Sequence, residues 1–449
     1  MTARRRNALV VLLDSLRYDF TGFNGNPWIR TPHLDAFARR ATVFDRAIVG
    51  SYPCLPCRRE MWTGRYEFPF RGWGPLDRDD VIFSEIARDA GYTTMFITDN
   101  YLLCYDDGNY QRGFCWDLIR GQEHDDWITD PTIPIAFPCR PDKLRDPYGR
   151  VAQYLRNTAA RLGEEDYFAP QVMRRAIAWL ERNRTLDGFL LWVDCFDPHE
   201  PWDPPYPYDE MYNPGHEGEH VIYPAYGLAN RLGREDLAEC RALYAGEITM
   251  VDRWVGRLLE KVADLGLMSN TLVAVITDHG YMFGEHGLLG KPWARLAEAN
   301  LYREVAHLPW IIYHPEGAGA GVRCDALIQP VDLFATLLAW LRLSGPPGHS
   351  KNLLPLIEGR TRRIREHAFW GRFGEAINVT DGEWEAFFWP EEAPYRDRLY
   401  HIATDLAESS DLFDTDPVAL AHLRSVAEAW LRAIGGPALK HRSYVPDHV

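Results

Sequence analysis

The sequence lacks the features of a membrane protein or a nucleic-acid-binding protein. Its 449 residues contain no apolar run long enough to span a bilayer, no internal repeat and no low-complexity segment. Basic residues are in the minority, since 49 lysines and arginines face 64 aspartates and glutamates, and the formal net charge is −15. This balance argues against a nucleic-acid or anionic-membrane surface and leaves room for a small basic pocket.

The N-terminus lacks the elements of a secretion signal. An arginine-rich start precedes an apolar run at 8–13, but the run is short, Asp14 ends it, and no small-residue cleavage site follows. We interpret the run as the first core strand and expect a cytoplasmic protein. Most of the eight cysteines lie among apolar residues, as buried free thiols do. They are Cys54, Cys57, Cys104, Cys115, Cys139, Cys195, Cys240 and Cys324.

Short apolar runs alternate with longer amphipathic patterns. This is typical of an α/β sandwich with helices on both faces of a mostly parallel sheet. Ligands gather at the carboxyl ends of the strands in such sheets, and Asp14, Asp194 and Asp278 stand at predicted strand ends. The predicted strands are 8–13, 94–98, 188–193 and 272–277, and the predicted helices are 81–90, 170–182, 237–265 and 330–341.

Two long stretches, 102–166 and 197–235, are rich in Pro, Tyr, Trp, Asp and Gly. We predict irregular structure there, as lids, binding loops or packing insertions. After residue 345 the pattern changes to short alternating segments and a final helix over 417–434. The sequence therefore predicts a catalytic α/β domain over 1–345 and a small antiparallel α+β subdomain over 346–449.

The sharpest local motif is Cys-Leu-Pro-Cys-Arg at 54–58, followed by Thr-Gly-Arg at 63–65. It resembles the signature of the sulfatase family, in which a maturation enzyme oxidises the cysteine, here Cys54, to formylglycine. One hydroxyl of the hydrated aldehyde attacks sulfur, and loss of a proton from the other then expels sulfate and restores the aldehyde. An ordinary Ser or Cys would need a separate hydrolysis of a stable adduct.

Cys54 and Cys57 have other interpretations. They could form a redox pair or half of a zinc site. A zinc site needs a second matching pair, which the sequence does not contain. If Cys54 is never oxidised, the chain could also be a catalytically silent binding protein.

Further motifs along the chain also resemble sulfatase landmarks. Asp14 follows the first apolar run, and Asp278-His279-Gly280 follows a later one. Residues 192–201 end in Pro-His-Glu-Pro, and residues 284–292 run from Gly-Glu-His to Gly-Lys-Pro. Segments 31–38, 90–94, 399–402 and 411–412 extend the resemblance over nearly the whole chain, which implies the alkaline-phosphatase-like α/β fold.

The resemblance implies one divalent metal, held by Asp14, Asp278, His279 and the formylglycine at Cys54. Such a site is mostly oxygen-rich and suits Ca²⁺, Mg²⁺ or Mn²⁺, with the imidazole favouring Mn²⁺. Adjacent strand residues point to opposite faces, so Asp278 and His279 can share an ion only where the strand breaks. We expect Gly280 to permit that break.

By the same resemblance, Lys291 and His199 bind the sulfate oxygens and serve the leaving group, and Arg58 steadies the formylglycine and the metal-site carboxylates. A lysine neutralises charge on the oxygens, and a histidine that titrates near neutrality can donate a proton to a departing alkoxide.

The motifs depart from the family pattern in several places. Ser15 and His279 replace a more common Asp and Asn, which resembles the branch of choline-sulfatase-like enzymes and phosphonate monoester hydrolases. Segment 98–101 replaces a Gly-Lys-x-His, so two cationic sulfate contacts are missing, and Cys57 is unusual. Asp99 could instead meet a cationic or hydroxylated leaving group. The candidate substrate-binding residues are Asn100, Tyr101, His286 and the nearby Asp106 and Asp107.

We therefore expect a sulfuric ester hydrolase that needs a formylglycine-generating maturation enzyme, and the sequence is compatible with a homo-oligomer. A phosphonate monoester or phosphodiester hydrolase with the same site is the first alternative. A two-zinc phosphatase is less favoured, because no second set of metal ligands is evident. A small or sugar ester is favoured over a highly sulfated polymer, which the acidic surface would repel. Loop tryptophans that could stack on a substrate ring are Trp116, Trp127, Trp202 and Trp293.

Overall fold

The first strand, β1 (Asn7–Leu13), is buried along its whole length and contributes to two separate apolar cores. Its odd-numbered residues from Leu9 belong to one cluster, and its even-numbered residues from Ala8 belong to the other. Because successive side chains of a strand point to opposite faces, β1 lies in a sheet that is covered on both sides.

The computed structural model describes residues 5–105, 108–291, 293, 298 and 300–445. Its further strands are β2 (Thr42–Ile48), β3 (Thr93–Thr98), β4 (Cys115–Leu118), β5 (Phe189–Cys195), β6 (Gly227–Leu228), β7 (Thr271–Ile276), β8 (Met282–Phe283), β9 (Leu288–Gly290), β10 (His307–Tyr313), β11 (Arg323–Ile328), β12 (Ala368–Gly371), β13 (Ile377–Thr380), β14 (Glu385–Phe388) and β15 (Arg398–Tyr400).

The largest sheet has eight strands in the order β11-β2-β10-β7-β1-β5-β3-β4. Neighbouring strands are parallel except at β10, which is antiparallel to both β2 and β7. A separate three-stranded sheet has the order β6-β9-β8. The prediction of an α/β fold with a large, mostly parallel sheet is confirmed.

Helices cover both faces of the large sheet. The helices are α1 (Pro32–Ala38), α2 (Cys54–Thr63), α3 (Phe83–Asp89), α4 (Tyr101–Cys104), α5 (Ala152–Thr158), α6 (Phe168–Arg182), α7 (Arg234–Asp264), α8 (Arg303–Ala306), α9 (Asp332–Trp340), α10 (Leu354–Ile357) and α11 (Pro417–Ile434). Helices α1, α6 and α7 contribute to one apolar core, and α2, α3 and α9 contribute to the other. None of the helices within the described ranges is both long and apolar enough to cross a membrane.

A second, antiparallel sheet has the order β12-β13-β14-β15. Leu420, Leu423 and Leu431 of α11 are buried in one cluster with residues of this sheet and with Tyr66 and Phe68. The small antiparallel sheet and the final helix agree with the expectation from the sequence. The division of the chain at residue 345 stays a prediction.

Four strands of the large sheet, β2, β4, β10 and β11, were not identified from the sequence. Strand β2 carries Asp45 and Arg46 in its middle, and Arg323 at the start of β11 forms an ion pair with Asp45. These charges hide the apolar pattern of two neighbouring strands. The stretch 102–166 is also less irregular than expected, because it contains β4 and α5.

Candidate active site

Three aspartates meet at the carboxyl ends of neighbouring parallel strands. Asp14 directly follows β1, Asp194 lies near the end of β5, and Asp278 comes two residues after β7. Strand β1 lies between β5 and β7, so the three side chains share one edge of the sheet. All three are completely buried. Such a concentration of buried carboxylates requires cations.

Arg58 of α2 supplies a cation to all three carboxylates. Its Nη2 lies 2.9 Å from Asp14 Oδ2 and 2.7 Å from Asp194 Oδ1, and its Nη1 lies 2.6 Å from Asp278 Oδ2. Burial alone would lower the pKa of the guanidinium, but the three carboxylates raise it well above its ordinary value. Arg58 therefore stays charged and holds the ends of three strands against α2.

Cys54 is the first residue of α2 and lies beside Asp14 and His279. Its Sγ is 3.0 Å from His279 Nε2 and 3.9 Å from Asp14 Oδ1. Cys57 Sγ donates to the carbonyl oxygen of Asp278 at 3.3 Å. Burial raises the pKa of both thiols well above the ordinary value, and neither is in a disulfide. A redox Cys-x-x-Cys pair needs a thiol with a lowered pKa, so the raised pKa of both thiols disfavours that alternative.

Four side chains could hold a metal ion. Asp14, Cys54, Asp278 and His279 are all buried, and each offers a ligand atom within 4.8 Å of the others. His279 Nδ1 donates to the carbonyl oxygen of Gly280 at 2.8 Å, which leaves Nε2 toward Cys54. Two carboxylates, an imidazole and an oxygen at position 54 fit a divalent cation.

The role expected for Gly280 needs correction. Strand β7 ends at Ile276, before the metal-ligand candidates, so no break at Gly280 is required to bring Asp278 and His279 together. The glycine is needed for space, because a Cβ there would lie 2.0 Å from the carbonyl oxygen of Glu304.

Cys54, one of these four residues, lines a cavity of about 270 Å³. Cys54, His199 and Lys291 line it together, although they come from distant parts of the chain. A larger cavity of about 660 Å³ lies elsewhere, lined by Arg46, Arg303 and neighbouring residues, and contains none of the predicted site residues. The smaller cavity is therefore the candidate active site.

A family model described as Sulfatase matches residues 6–343. The chain belongs to the sulfatase family. It is accordingly a hydrolase of sulfate esters with an alkaline-phosphatase-like fold, and a metal ion and a cysteine-derived formylglycine are typical of its family.

Known proteins resemble this sulfatase over most of their length. An arylsulfatase from Clostridium perfringens is 26% identical over 423 residues, covering 83% of this chain and 82% of its own. The phosphonate monoester hydrolase of Agrobacterium radiobacter has a TM-score of 0.77 at 21% identity, with 96% and 95% of the two chains covered. The protein BT4656, whose structure is in complex with its substrate D-glucosamine-2-N,6-O-disulfate, has a TM-score of 0.74 at 17% identity, with 96% and 98% covered.

His199 and Lys291 of the sulfatase both contact Glu200. His199 Nδ1 lies 3.4 Å from Glu200 Oε2, and Lys291 Nζ lies 3.8 Å from Glu200 Oε1. Burial and the charge of Lys291 lower the pKa of His199 to about 3. The expectation that His199 titrates near neutrality is therefore wrong for the free protein. Burial instead raises the pKa of Glu200 to about 7.

Segment 98–101 is the one that differs from the family pattern, and not all of its residues line the cavity. Asn100 caps α4 by accepting from Leu102 N at 3.2 Å, and it lines the cavity. Tyr101 stacks on Tyr105 and is not among the residues that line the cavity. Asp99 is completely buried and accepts from Phe196 N at 2.8 Å, so it does not face a leaving group. Asp106 and Asp107 lie outside the described residues.

His286 lies away from the cavity lining. Its ring stacks on Tyr302 at 3.6 Å, and its Nε2 lies 3.6 Å from Glu304 Oε2. The structure therefore does not support His286 as a substrate-binding residue.

The aromatic wall of the cavity differs from the expected one. Trp293 lines it, but Trp202 is completely buried, and Trp116 and Trp127 are exposed outside it. Trp73 lines the cavity and was not singled out from the sequence.

Several further charged residues line the cavity or contact its lining, and none of them was singled out from the sequence. Glu123, His124, Arg145 and Arg150 line the cavity, and Glu200 contacts two of its lining residues. Glu200 lies within the Pro-His-Glu-Pro motif and could have been noticed there. The other four lie in the long stretch 102–166, called the insertion below, whose path depends on tertiary packing.

Proposed function

We propose that this sulfatase uses a formylglycine at position 54 as its nucleophile and one divalent metal ion at Asp14, Asp278, His279 and residue 54. The observation that carries the proposal is the convergence of these four groups within 4.8 Å, with Cys54 at the wall of the cavity that His199 and Lys291 also line. Residues from positions 14 to 291 meet there in the arrangement that sulfate ester hydrolysis needs.

The surroundings of Cys54 suit an oxygen nucleophile better than a thiol. Burial and the charge of Asp14 hold the thiol protonated. The formylglycine, when present, supplies a hydrated aldehyde whose hydroxyl is the attacking group. His279 Nε2, 3.0 Å from the Sγ position, and Asp14 are placed to orient an oxygen there.

The metal-binding residues favour Ca²⁺, Mg²⁺ or Mn²⁺, and the imidazole of His279 favours Mn²⁺ among them. A bound ion would polarise the sulfate oxygens as a Lewis acid. Ser15 supports the two carboxylates, because its Oγ donates to Asp14 Oδ1 at 2.8 Å and its backbone N donates to Asp278 Oδ1 at 3.1 Å. The residue that replaces the family's second aspartate therefore orients ligands by hydrogen bonding.

Lys291 and His199 serve the sulfate group. Burial would lower the pKa of Lys291, but Glu200, Cys54 and Asp14 raise it above its ordinary value, so the ammonium is charged. It neutralises charge on the sulfate oxygens and the departing oxygen. His199 donates from Nδ1 to the carbonyl oxygen of Glu200 at 2.5 Å, and its low pKa keeps the ring neutral, so its Nε2 has a free lone pair and can accept a proton during the reaction.

A phosphonate monoester or phosphodiester is the second candidate substrate class. The similarity in fold to the phosphonate monoester hydrolase of Agrobacterium radiobacter favours it. Tetrahedral sulfuryl and phosphoryl groups present similar oxygens to the same cations.

Peptide mass spectrometry tests the nucleophile directly. Protein made together with a formylglycine-generating enzyme should show a thiol-to-aldehyde mass deficit in the tryptic peptide 47–58, localised to Cys54. The same preparation should hydrolyse 4-nitrophenyl sulfate faster than bis(4-nitrophenyl) phosphate. Cys54→Ala should be inactive on both. Two intact thiols in an active preparation would refute the proposed nucleophile.

A further inference from the structure

The wall of the active-site cavity contributed by the insertion is cationic. Arg145 and Arg150 line the cavity together with His124 and Glu123. We infer that the sulfatase binds a substrate carrying a second anionic group besides the sulfate ester, and that Arg145 binds this group. The inference rests on the proposed function, because it assumes that the scissile sulfate sits at residue 54.

Most N–H donors of the Arg145 guanidinium have no acceptor among the described residues. Its Nη1 donates to Tyr223 Oη at 3.2 Å, and its guanidinium carbon lies 4.1 Å from the ring centre of Tyr226 and 5.4 Å from that of Trp293. Within the described part of the chain, no carboxylate lies at ion-pair distance from it. An arginine has five N–H donors and stays charged, so Arg145 is held by aromatic rings with most of its donors unused.

The neighbouring basic side chains already contact a carboxylate. Glu123 Oε1 lies 3.1 Å from Arg150 Nη1 and 2.7 Å from His124 Nε2, and it accepts from Tyr223 Oη at 2.6 Å. Burial would raise the pKa of Glu123, but His124, His199 and Arg145 lower it well below its ordinary value. Glu123 is therefore an anion in direct contact with Arg150 and His124, whereas Arg145 acts on it from farther away and can pair directly with a ligand.

The position of Arg145 explains a departure noted in the sequence. Segment 98–101 lacks the lysine and histidine that the family pattern has there, and Asp99 is buried behind the cavity. The insertion supplies cationic charge to the same cavity from a different direction. Arg145, Lys291 and His199 line one cavity, and the inference assigns the sulfate to Lys291 and His199 and the second anionic group to Arg145.

The aromatic lining of the cavity favours a ring as part of the substrate. Trp73, Tyr226 and Trp293 line the cavity, and aromatic side chains pack against sugar or aryl rings. The planar fork of arginine binds a carboxylate or a sulfate through two parallel hydrogen bonds. The chemical class is thus a ring that carries one sulfate ester and one further carboxylate or sulfate.

Matched aryl sulfates separate this inference from general sulfatase activity. The probes are 3- and 4-sulfooxybenzoate, the corresponding sulfooxybenzamides, and 1,4-phenylene bis-sulfate. The wild type, with formylglycine at position 54, should have a kcat/KM for at least one benzoate that is roughly tenfold or more above that for its amide. The bis-sulfate shows whether a second sulfate is preferred to a carboxylate.

Arg145→Gln should reduce this benzoate-to-amide ratio by roughly 10- to 100-fold, because a charge-assisted pair is lost. Arg145→Lys should give an intermediate ratio. Arg140→Gln is the matched control: Arg140 lies in the same insertion, its side chain is 66% exposed, and it is not among the lining residues. It should keep the wild-type ratio.

A purely structural role of Arg145 would lower kcat/KM equally for benzoate, amide and bis-sulfate and leave every ratio unchanged, which would overturn the inference. Equal wild-type rates on all probes would do the same. Failure of all probes with formylglycine confirmed at position 54 would refute the proposed function instead. In that case the ratio of dissociation constants for Cys54→Ala protein, measured by calorimetry with and without Arg145→Gln, decides the inference by itself.

Discussion

Arg58 and Asp194 form a two-point ion pair, with Nε donating to Oδ2 at 3.0 Å and Nη2 donating to Oδ1 at 2.7 Å. Asp194 also accepts from Trp192 Nε1 at 3.2 Å. It is not among the candidate metal ligands. Its contacts fix the plane of the guanidinium, so that the remaining donors face Asp14 and Asp278. Asp194 is therefore a positioning residue for the two carboxylates that are candidate metal ligands.

We predict that Asp194→Asn lowers kcat and the affinity for the activating metal by roughly 10- to 100-fold, as changes in the residues that orient metal ligands do. The reason is that the asparagine amide keeps only one acceptor oxygen, so Arg58 loses one of its two contacts with residue 194. Steady-state kinetics against metal concentration measure both quantities. Asp187→Asn, an exposed change just before β5, should behave as wild type. Unchanged metal dependence in Asp194→Asn would contradict the positioning role.

The pH dependence should follow Glu200 and not His199. Burial raises the pKa of Glu200 to about 7 against the lowering effect of Lys291. Below pH 7 Glu200 is mostly neutral, and the charge of Lys291 is available to an anionic substrate. Above pH 7 the Glu200 carboxylate forms and competes for Lys291. We therefore expect kcat/KM for an aryl sulfate to fall as the pH rises through about 7.

Two variants separate the effects of Glu200 and His199 on the pH profile. Glu200→Gln should remove the fall in kcat/KM near neutrality. His199→Gln should lower kcat/KM at all pH values, by roughly 10²- to 10⁴-fold as for loss of a proton-transfer group, yet keep the same fall. The pH profile would speak against this assignment if the fall disappeared only in His199→Gln.

Metal removal should destabilise the protein as well as inactivate it. Asp14 and Asp278 are buried carboxylates that a bound cation would stabilise in the folded state only. An ion present at a hundred times its dissociation constant adds about 2.7 kcal/mol to the free energy of unfolding. Chelator should therefore lower the melting temperature, and Ca²⁺, Mg²⁺ or Mn²⁺ should restore it. Asp14→Asn should lose most of this response, and an undiminished response would place the ion elsewhere.

Gly280→Ala should damage both stability and activity. The new Cβ would lie 2.0 Å from the carbonyl oxygen of Glu304, so the backbone beside His279 must move. Overpacking of this kind typically costs about 1–3 kcal/mol. Chemical unfolding and kcat measure the two effects. Gly163→Ala is the matched control, because nothing lies within 4 Å of a Cβ at that position. Equal behaviour of the two variants would argue against a packing requirement at Gly280.

The parts of the site that sequence could predict are those carried by local motifs. Asp14 directly follows an apolar strand, Asp278 lies two residues after another, and Cys54 begins a short motif, so their neighbourhood follows from strand order in a parallel sheet. Asp194 was placed at a strand end but received no role. Its partnership with Arg58 depends on which face α2 covers, and only tertiary packing decides that.

The features of the site and the sheet that the sequence did not predict depend on contacts between residues far apart in the chain. Arg145 and Glu123 belong to an insertion without periodic pattern, and their positions follow from packing against Tyr223 and Tyr226. Strands β2 and β11 were missed because Asp45 and Arg323 pair across them. The pKa of His199 was misjudged because burial and Lys291 act on it only in the folded chain.

The burial of α2 also dictates an order of events during synthesis. Cys54 is 5% exposed and Arg58 is 0% exposed, so residues 54–58 form an enclosed helix turn once the chain has folded. If Cys54 is oxidised as proposed, the oxidising enzyme would need these residues accessible. Oxidation would then compete in time with folding, and the fraction of active molecules would be set while each chain is being made. Chains that fold first would remain thiol-bearing and silent, and only unfolding would return them to the oxidising enzyme.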